Sequence, residues 1–419
     1  MFDHPLRRGL VALCLAAFVG GTAQAQDEGV ALELEAAQAL SVTRQPLLDA
    51  QSAAVHAARE GAVAASQLPD PKLTGGIRDL PIEGRDRYSL SQDDFTMYSV
   101  GVMQELPRAE KRRLMGARGE HEADMADQML IATRLEVRRD AGLAWLEVWQ
   151  PERAAELARA SVRESELQLQ ATQIAYTAGT ASQADVLAAR VAAAMLRDDL
   201  AGLEQAAQVA RGKLSRWIGA ESSQRLLCPD LPAWPAPPAL DAMLTQLRSH
   251  PHLNAQARRV AVAQDEVALA EQAYKPDWGV ELEYANRPDF ADYVSLNFSI
   301  DLPLFSANRQ DRGLAAKLAE QTAAEQTRED SFRQEEADLR QNWFGWQRLQ
   351  DRLRQFEADI LPQSEQRVAV AASAWKAGQG TLAAVLDARR MALDARTKHL
   401  ELVTDAARLR LNLLYFAGA

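Results

Sequence analysis

The feature that most limits what this chain can fold into is a duplication. The stretch AYTAGTASQADVL, beginning at Ala175, returns late in the chain as AWKAGQGTLAAVL, so that Tyr176 corresponds to Trp375. Four further landmarks recur in the same order. Pro46 of RQPLLDA matches Pro251 of SHPHLNA, and Pro69-Asp70 matches Pro276-Asp277. Leu106-Pro107 matches Leu302-Pro303, and RWIGA (216–220) matches YFAGA (415–419). Chance likeness between alanine-rich helices gives one such match, not an ordered set at a spacing of about 200 residues. Residues 26–222 and 239–419 are therefore read as two structural repeats, joined by a proline-rich linker at 223–238.

Each repeat has the same internal order. A helical stretch comes first (Ala31 to Gln67 in the first repeat, with Pro46 its one interior proline), and a β-like zone follows. Two long helical stretches then meet at the quoted turn. The run from Arg108 to Ala178 would extend on the order of 100 Å as a helix, and the return run from Ser182 to Trp217 roughly 54 Å. Pro151 is expected to interrupt or kink the first arm, as Pro362 is in the second. Gly179 and Gly378 stand where a helix ends in a left-handed residue, which glycine adopts without strain. The quoted turn is then the tip of a helical hairpin. Arms this long do not suit a compact enzyme domain.

In the β-zones, Val294, Leu296, Phe298, Ile300 and Leu302 alternate with Ser295, Asn297, Ser299 and Asp301. In the first repeat Thr96, Tyr98, Val100 and Val102 alternate with Met97, Ser99, Gly101 and Met103. Weaker strands precede each, around Leu73–Ile77 and Trp278–Tyr284. A two-residue period over about ten residues suits a membrane β-strand, apolar outward and polar inward, but also a half-buried strand of a soluble sheet. Four strands fall short of the roughly eight that close a barrel, so a membrane role requires strands pooled from several copies.

The N-terminus bears on location. Arg7 and Arg8 precede an apolar run from Leu10 to Val19, and Ala23-Gln24-Ala25 supplies small residues for cleavage. Residues 1–25 read as a secretory signal peptide. Cys14 would leave with it, and Leu13 fits a lipoprotein cleavage site poorly, so no N-terminal lipid is expected. Cys228 is then the only mature cysteine, which excludes a disulfide within the chain. No later stretch approaches the roughly 18 apolar residues of a spanning helix, so membrane contact would have to be through a barrel.

The last helix carries two apolar stripes: Leu386, Leu393, Leu400, Ala407 and Leu414, and, nearly opposite, Ala388, Ala395, Leu402 and Leu409. The first repeat echoes the second stripe as Ala189, Leu196, Leu203 and Ala210. A helix with two opposed seams has neighbours on both sides, and helices sandwiched in this way make a cylinder. Between the seams, Asp387, Asp394 and Glu401 mark one wall as acidic, and Arg389, Arg396 and Arg410 mark the other as basic.

The order of signal peptide, duplicated helix–strand–strand–helix–helix halves and Y-x-A-G-T tip resembles the TolC family of outer-membrane efflux ducts. LPDPKL (68–73) and QELPRAEKR (104–112) are most similar to its heavy-metal branch, of the CzcC and CusC type. The resemblance spans essentially the whole mature chain. It implies a mainly α fold with a β membrane part, in which duplicated long-helix hairpins form a periplasmic α-barrel. Four strands per chain would contribute to a trimeric twelve-stranded outer-membrane β-barrel. It further implies a homotrimer in outer-membrane lipid, a periplasmic adaptor protein and an inner-membrane pump of the resistance-nodulation-division (RND) class as partners, and no cofactor. The branch implies heavy-metal cations as cargo. A drug or protein export duct is the nearest alternative, and a soluble periplasmic coiled-coil adaptor or scaffold is the alternative of another class.

By position, Asp185 and Asp387 match acidic residues that line the narrow periplasmic entrance in this family. The resemblance assigns Tyr176, Gly179, Thr180, Trp375, Gly378 and Gly380 to the hairpin tips and the adaptor contact. The sequence departs from the pattern at Ala384, where a further Asp is expected, at Gly380, where some members have a gating Arg, and at Trp375, where Tyr is common. Acidic residues near a helix N-terminus are also stabilised by the helix dipole alone, which is the plainer reading of both aspartates.

Other signals carry less. His250-Pro-His252 could form a metal pair, but nothing nearby in sequence completes a tetrahedral set. Met125 and Met129 lie one helical turn apart and suit packing more often than soft-metal binding. Trp343 and Trp346 read as packing residues. No nucleophile–base signature, phosphate loop or basic nucleic-acid patch occurs in this chain of net charge −11, and no enzyme is expected.

Overall fold

The computed structural model describes residues 31–418, so the expected signal peptide, with Cys14, lies outside the described residues. Each proline of the RQPLLDA and SHPHLNA landmarks opens a helix, at the first-turn position where a missing N–H costs nothing. The first helical stretch is thus two helices, α1 (Leu34–Arg44) and α2 (Pro46–Ala65). Next come β1 (Lys72–Arg78), β2 (Met97–Leu106), α3 (Ala109–Thr177) and α4 (Gln183–Ile218). The second repeat gives α5 (Leu240–Leu247), α6 (Pro251–Gln272), β3 (Trp278–Asn286) and β4 (Tyr293–Ile300). Its arm consists of α7 (Gln310–Gln355), α8 (Leu361–Lys376) and α9 (Leu382–Phe416).

The two arm prolines behave differently. The 69 residues of α3 run through Pro151 without interruption, so the expected break is absent there. In the second arm a π-helical turn at Phe356–Ile360 separates α7 from α8 just before Pro362. A proline ring crowds the carbonyl four residues back and removes one helical hydrogen bond, and a π-turn accommodates both by widening the helix.

The arms are held at mid-height by a core in which α1, α3, α4 and α9 meet around Trp145, Leu146, Leu214, Ile218 and Leu411. The Trp145 indole donates to the Leu32 carbonyl at 3.0 Å and that of Trp149 to the Pro229 carbonyl at 3.1 Å. The linker is strapped to the start of the described chain: Leu32 N donates to Leu226 O at 2.7 Å, and Cys228 N to Leu32 O at 3.1 Å. Arg211 on α4 fastens the same segment, donating to the Ser223 and Arg225 carbonyls at 2.6 and 2.9 Å while its Nε reaches Glu152 at 2.9 Å. Arg410, at the matching position of α9, is buried and donates to the Pro235 carbonyl at 2.9 Å. It belongs to this strap, not to a basic wall as its spacing suggested. A second cluster joins α5, α6, α7 and α9 through Leu247, Leu253, Leu339, Leu413 and Phe416, with Trp343 and Trp346 packed on its rim.

The four strands form one antiparallel sheet in the order β1-β2-β3-β4. The register puts Leu73, Val102, Leu282 and Leu296 on one rung and Thr74, Gly101, Glu283 and Ser295 on the next. The apolar face is bare: Leu73 is 76% exposed and Phe298 69%. On the polar face Arg78 pairs with Glu283 at 2.7 Å, and Thr74 donates to Glu281 at 3.2 Å. Thr96, counted with the apolar phase above, precedes β2 and is buried. Within the chain β1 and β4 each have a partner on one side only.

Inside the chain α9 packs against α3, α7 and α8. Leu400 packs on the chain's own mid-height core, so it is not a free contact surface. Among the apolar side chains left uncovered on the arms are Leu167 and Ile174 of α3, Val191 and Val209 of α4 and Val370 of α8.

Candidate functional site

Both hairpin tips close by the same hydrogen bonds. In the first, Gly179 has φ +75°, its N–H donates to the Tyr176 carbonyl at 3.0 Å, and the Thr180 N–H reaches back to the Ala175 carbonyl at 2.9 Å. In the second, Gly378 has φ +73°, with Gly378 N to Trp375 O at 3.0 Å and Gln379 N to Ala374 O at 2.9 Å. This is the Schellman closure, in which a left-handed residue lets two N–H groups satisfy the last free carbonyls of the helix. The Thr180 hydroxyl adds a bond to the Ala175 carbonyl at 3.0 Å. Gly380 is needed for a different reason: a Cβ there would lie 3.1 Å from both Ala374 Cβ and Trp375 N. An arginine at that position would have to displace the preceding helix end. Tyr176 is exposed and Trp375 half-buried.

The return helices begin with side-chain caps, and these fix the acidic residues. Ser182 Oγ accepts from Asp185 N at 3.2 Å, while one Asp185 carboxylate oxygen accepts from Ser182 N and Oγ at 2.9 and 2.7 Å. These bonds stabilise the ionised carboxylate and hold its pKa below the usual aspartate value. At the second tip Thr381 Oγ1 accepts from Ala384 N at 3.3 Å, with no acid to return the bond. Ala384 therefore takes the structural place of Asp185, and Asp387 sits one turn further up its own helix. Asp387 pairs with Arg367 of α8 at 2.6 Å. Hairpin geometry explains this partner, because Arg367 precedes Gly378 by about as many residues as Asp387 follows it.

The two hairpins do not close on each other above the tips. They flank a groove of about 770 Å³ lined by Leu187, Val191 and Met195 of α4 and by Leu386, Asp387 and Leu393 of α9. Its charges are largely compensated across helices: Arg389 faces Glu164 at 3.5 Å, and Arg396 faces Glu365 at 3.1 Å. Arg389 and Arg396, expected from spacing to form a separate basic wall, are thus paired with glutamates of neighbouring helices. Asp185 does not line this groove; it closes on its own tip.

Away from the tips, the structure supplies a carboxylate that sequence could not place beside the histidine pair. Glu335 on α7 stands between His250 and His252: its Oε1 lies 2.5 Å from His252 Nδ1, and its Oε2 3.6 Å from His250 Nδ1. Among the described residues no group of three or more His, Cys, Asp or Glu has the geometry to hold a metal ion.

A bare apolar sheet face with free edges, set on hairpin arms of some 100 Å, is the architecture of an outer-membrane channel subunit. Among the described residues no helix is long and apolar enough to cross a membrane. The family model for outer membrane efflux proteins matches residues 36–220 and 245–419. The chain belongs to that family. The fold is shared with solved outer-membrane channels at low sequence identity. VceC of Vibrio cholerae is 18% identical, with 92% of this chain and 96% of that one covered at a TM-score of 0.78. For the Campylobacter jejuni channel CmeC the figures are 10%, 99%, 94% and 0.79, and for CusC they are 15%, 92%, 92% and 0.75. A comparison with curated proteins gave no match. Family and fold place the chain in the outer membrane with a large periplasmic helical part, as a TolC-like efflux channel and not among enzyme folds.

Proposed function

We propose that three copies of this chain form the exit duct of a tripartite efflux system, receiving cargo from an inner-membrane RND pump through a periplasmic adaptor. The observation that carries the trimer is the sheet. Its apolar face has no protein cover, and β1 and β4 each leave a row of backbone N–H and C=O groups unpaired. In hydrocarbon each unmet backbone group costs several kcal/mol, so β4 of one copy must meet β1 of the next until the barrel closes. Three chains of four strands give twelve. Leu296, Phe298 and Ile300 then face lipid, and Ser295, Asn297 and Ser299 face the lumen.

At the other end three copies bring six tips together, with Tyr176, Gly179, Thr180, Trp375, Gly378 and Gly380 as the surface offered to the adaptor. Asp185 and Asp387 would repeat as carboxylate rings at the entrance, which favours cations in transit. Heavy-metal cations are the cargo this reading favours, supported by the acidic mouth and by the likeness of LPDPKL and QELPRAEKR to the heavy-metal branch. A drug or protein export duct of the same build is the alternative. Crosslinking of the detergent-extracted protein tests the assembly: a ladder ending at three chains is expected, and a stable wild-type monomer or dimer would refute it. Leu167→Asp, at an exposed position of α3, should shorten the ladder while leaving the helical content of the chain unchanged.

A further inference from the structure

The two repeats treat the junction between sheet and arm in opposite ways. After β2 the chain reads Leu106-Pro107-Arg108-Ala109, and three of the four basic residues at 108–113 are tied down: Arg108 N donates to Asp277 at 3.3 Å and its guanidinium to Gln272 at 2.9 Å. Lys111 pairs with Asp277 at 2.5 Å, and Arg113 with Glu110 at 2.7 Å. After β4 the matching stretch is Leu302-Pro303-Leu304-Phe305. Ser306 takes the place of Glu110, so Arg309, the counterpart of Arg113, lacks an acidic partner among the described residues, as does Arg312. Phe305 is 91% exposed and sits at φ +62°, a left-handed backbone that costs a bulky residue roughly 1–2 kcal/mol. Leu302 and Leu304 are exposed beside it.

We propose that Leu302, Leu304 and Phe305 form a lipid-inserted anchor at the periplasmic edge of the membrane, with Arg309 and Arg312 on the phosphate headgroups. This rests on the reading of the sheet as a barrel wall. Leu302 and Leu304 keep the even-numbered spacing of the apolar stripe of β4, Val294 through Ile300, toward the periplasm, and Phe305 follows directly after them. An apolar tip flanked by unpaired cations is the chemistry of an interfacial anchor. The competing occupant is the neighbouring chain, and the duplication argues against it. At the internal β2–β3 junction both strands are present, yet Ala109, the counterpart of Phe305, stays exposed. Pairing β4 with a neighbour's β1 in the same geometry leaves Phe305 equally uncovered, three times per trimer.

Site-directed spin labelling of the full chain, with Cys228 replaced by Ser and the protein in vesicles of phosphatidylethanolamine and phosphatidylglycerol, tests this. Nitroxides are placed singly by Phe305→Cys, by Phe298→Cys as a lipid-facing control and by Glu83→Cys as an aqueous control. Collision rates with oxygen and with a water-soluble nickel chelate are compared. The expected oxygen-to-nickel ratio at 305 is severalfold above that at 83 and close to that at 298. If 298 reads as lipid while 305 reads as water, the anchor is refuted and the barrel stands. If 305 is shielded from both reagents it is a contact between chains, which also refutes the anchor. If 298 itself reads as water, the barrel reading fails and the anchor with it.

Discussion

Glu335 is the point at which one substitution has a calculable and sign-specific effect. Its carboxylate lies between two imidazoles at the start of α6, and His250 is essentially fully buried against Tyr415 and Phe416. His250 Nε2 lies 3.2 Å from the Tyr415 carbonyl. A carbonyl only accepts, so the ring proton of neutral His250 is on Nε2, and Nδ1 turns a bare lone pair toward Glu335 Oε2. Both of those atoms lack a hydrogen-bond partner. On the other side His252 Nδ1–H donates to Oε1. Glu335→Ala removes that charge-assisted bond and leaves His252 without its acceptor, at a cost of about 2 kcal/mol for a partly buried pair. Glu335→Gln is isosteric and different in kind: its carbonyl still accepts from His252, and its amide can donate to the His250 lone pair. It should therefore cost under about 1 kcal/mol near pH 8.

The pH dependence separates the two histidines. The His252 pKa is raised, chiefly by the bond to Glu335, with Glu136 adding to it. The stability it contributes is complete below its unfolded value near 6.5 and is lost as pH rises through the raised folded value. The His250 pKa is lowered by burial, so its contribution is present above about 6.5 and is lost as pH falls. Arg139 and Asp140 also face Tyr415 at this joint. Hydrogen exchange followed by mass spectrometry on peptides covering 250–256 and 411–418 reads the local opening. Glu335→Ala should raise exchange about 30-fold at pH 7, the equivalent of about 2 kcal/mol. Glu335→Gln should flatten the loss of protection that the wild type shows above pH 6.5. Wild-type exchange in the alanine variant, or a wild-type slope in the glutamine variant, would refute this account of the joint.

At the first tip, Gly179→Ala forces a left-handed alanine into open space and should cost about 1–2 kcal/mol locally, read as faster proteolysis between residues 176 and 184. Gly380→Ala should weaken the second tip by crowding Ala374 instead, so a change in protease sensitivity at only one of the two sites would show that one of these mechanisms is wrong. Arg211→Met leaves Glu152 without its counter-charge and should lower the urea midpoint more than Arg410→Met, whose guanidinium has no carboxylate partner among the described residues. Equal midpoints would contradict the pairing. In planar bilayers, Asp185→Asn with Asp387→Asn should lower cation selectivity and weaken block by multivalent cations; unchanged selectivity and block would place the entrance elsewhere.

Much of the architecture was legible because it rests on local rules applied twice. Glycine at 179 and 378, proline at 46 and 251, and strict alternation in 294–300 each specify a backbone state without reference to distant residues. What escaped the sequence depends on helix phase and on long-range packing. The arginines at 389, 396 and 410 share a spacing, yet two meet glutamates on neighbouring helices and the third is buried under the linker. Glu335 stands 83 residues from His252, and no local pattern connects them. Pro151 and Pro362 are the same residue at different heights of the two arms, and the surrounding arm decides that one is absorbed and the other is preceded by a π-turn.

Duplication followed by divergence also explains why the two aspartates at the tips are not equivalent. Ser182 and Thr381 both cap their helices, but only the first repeat returns the bond through an acid three residues on. Asp185 is thereby fixed close to the turn and stays ionised to lower pH than a free aspartate, because two Ser182 donors point at its charged form. Asp387, one helical turn higher, faces the groove and is countered by Arg367 within 2.6 Å. If three copies gather the tips, one ring carries charge fixed by backbone geometry, and the other carries charge balanced by an exposed and displaceable arginine. A multivalent cation entering from the periplasm would gain most at Asp387 if Arg367 swings away, while Asp185 supplies a constant field. Arg367→Gln should therefore strengthen multivalent block, whereas loss of the Ser182 hydroxyl in Ser182→Ala should act mainly on tip stability. A block unchanged by Arg367→Gln would mean that Asp387 does not reach the conduction path.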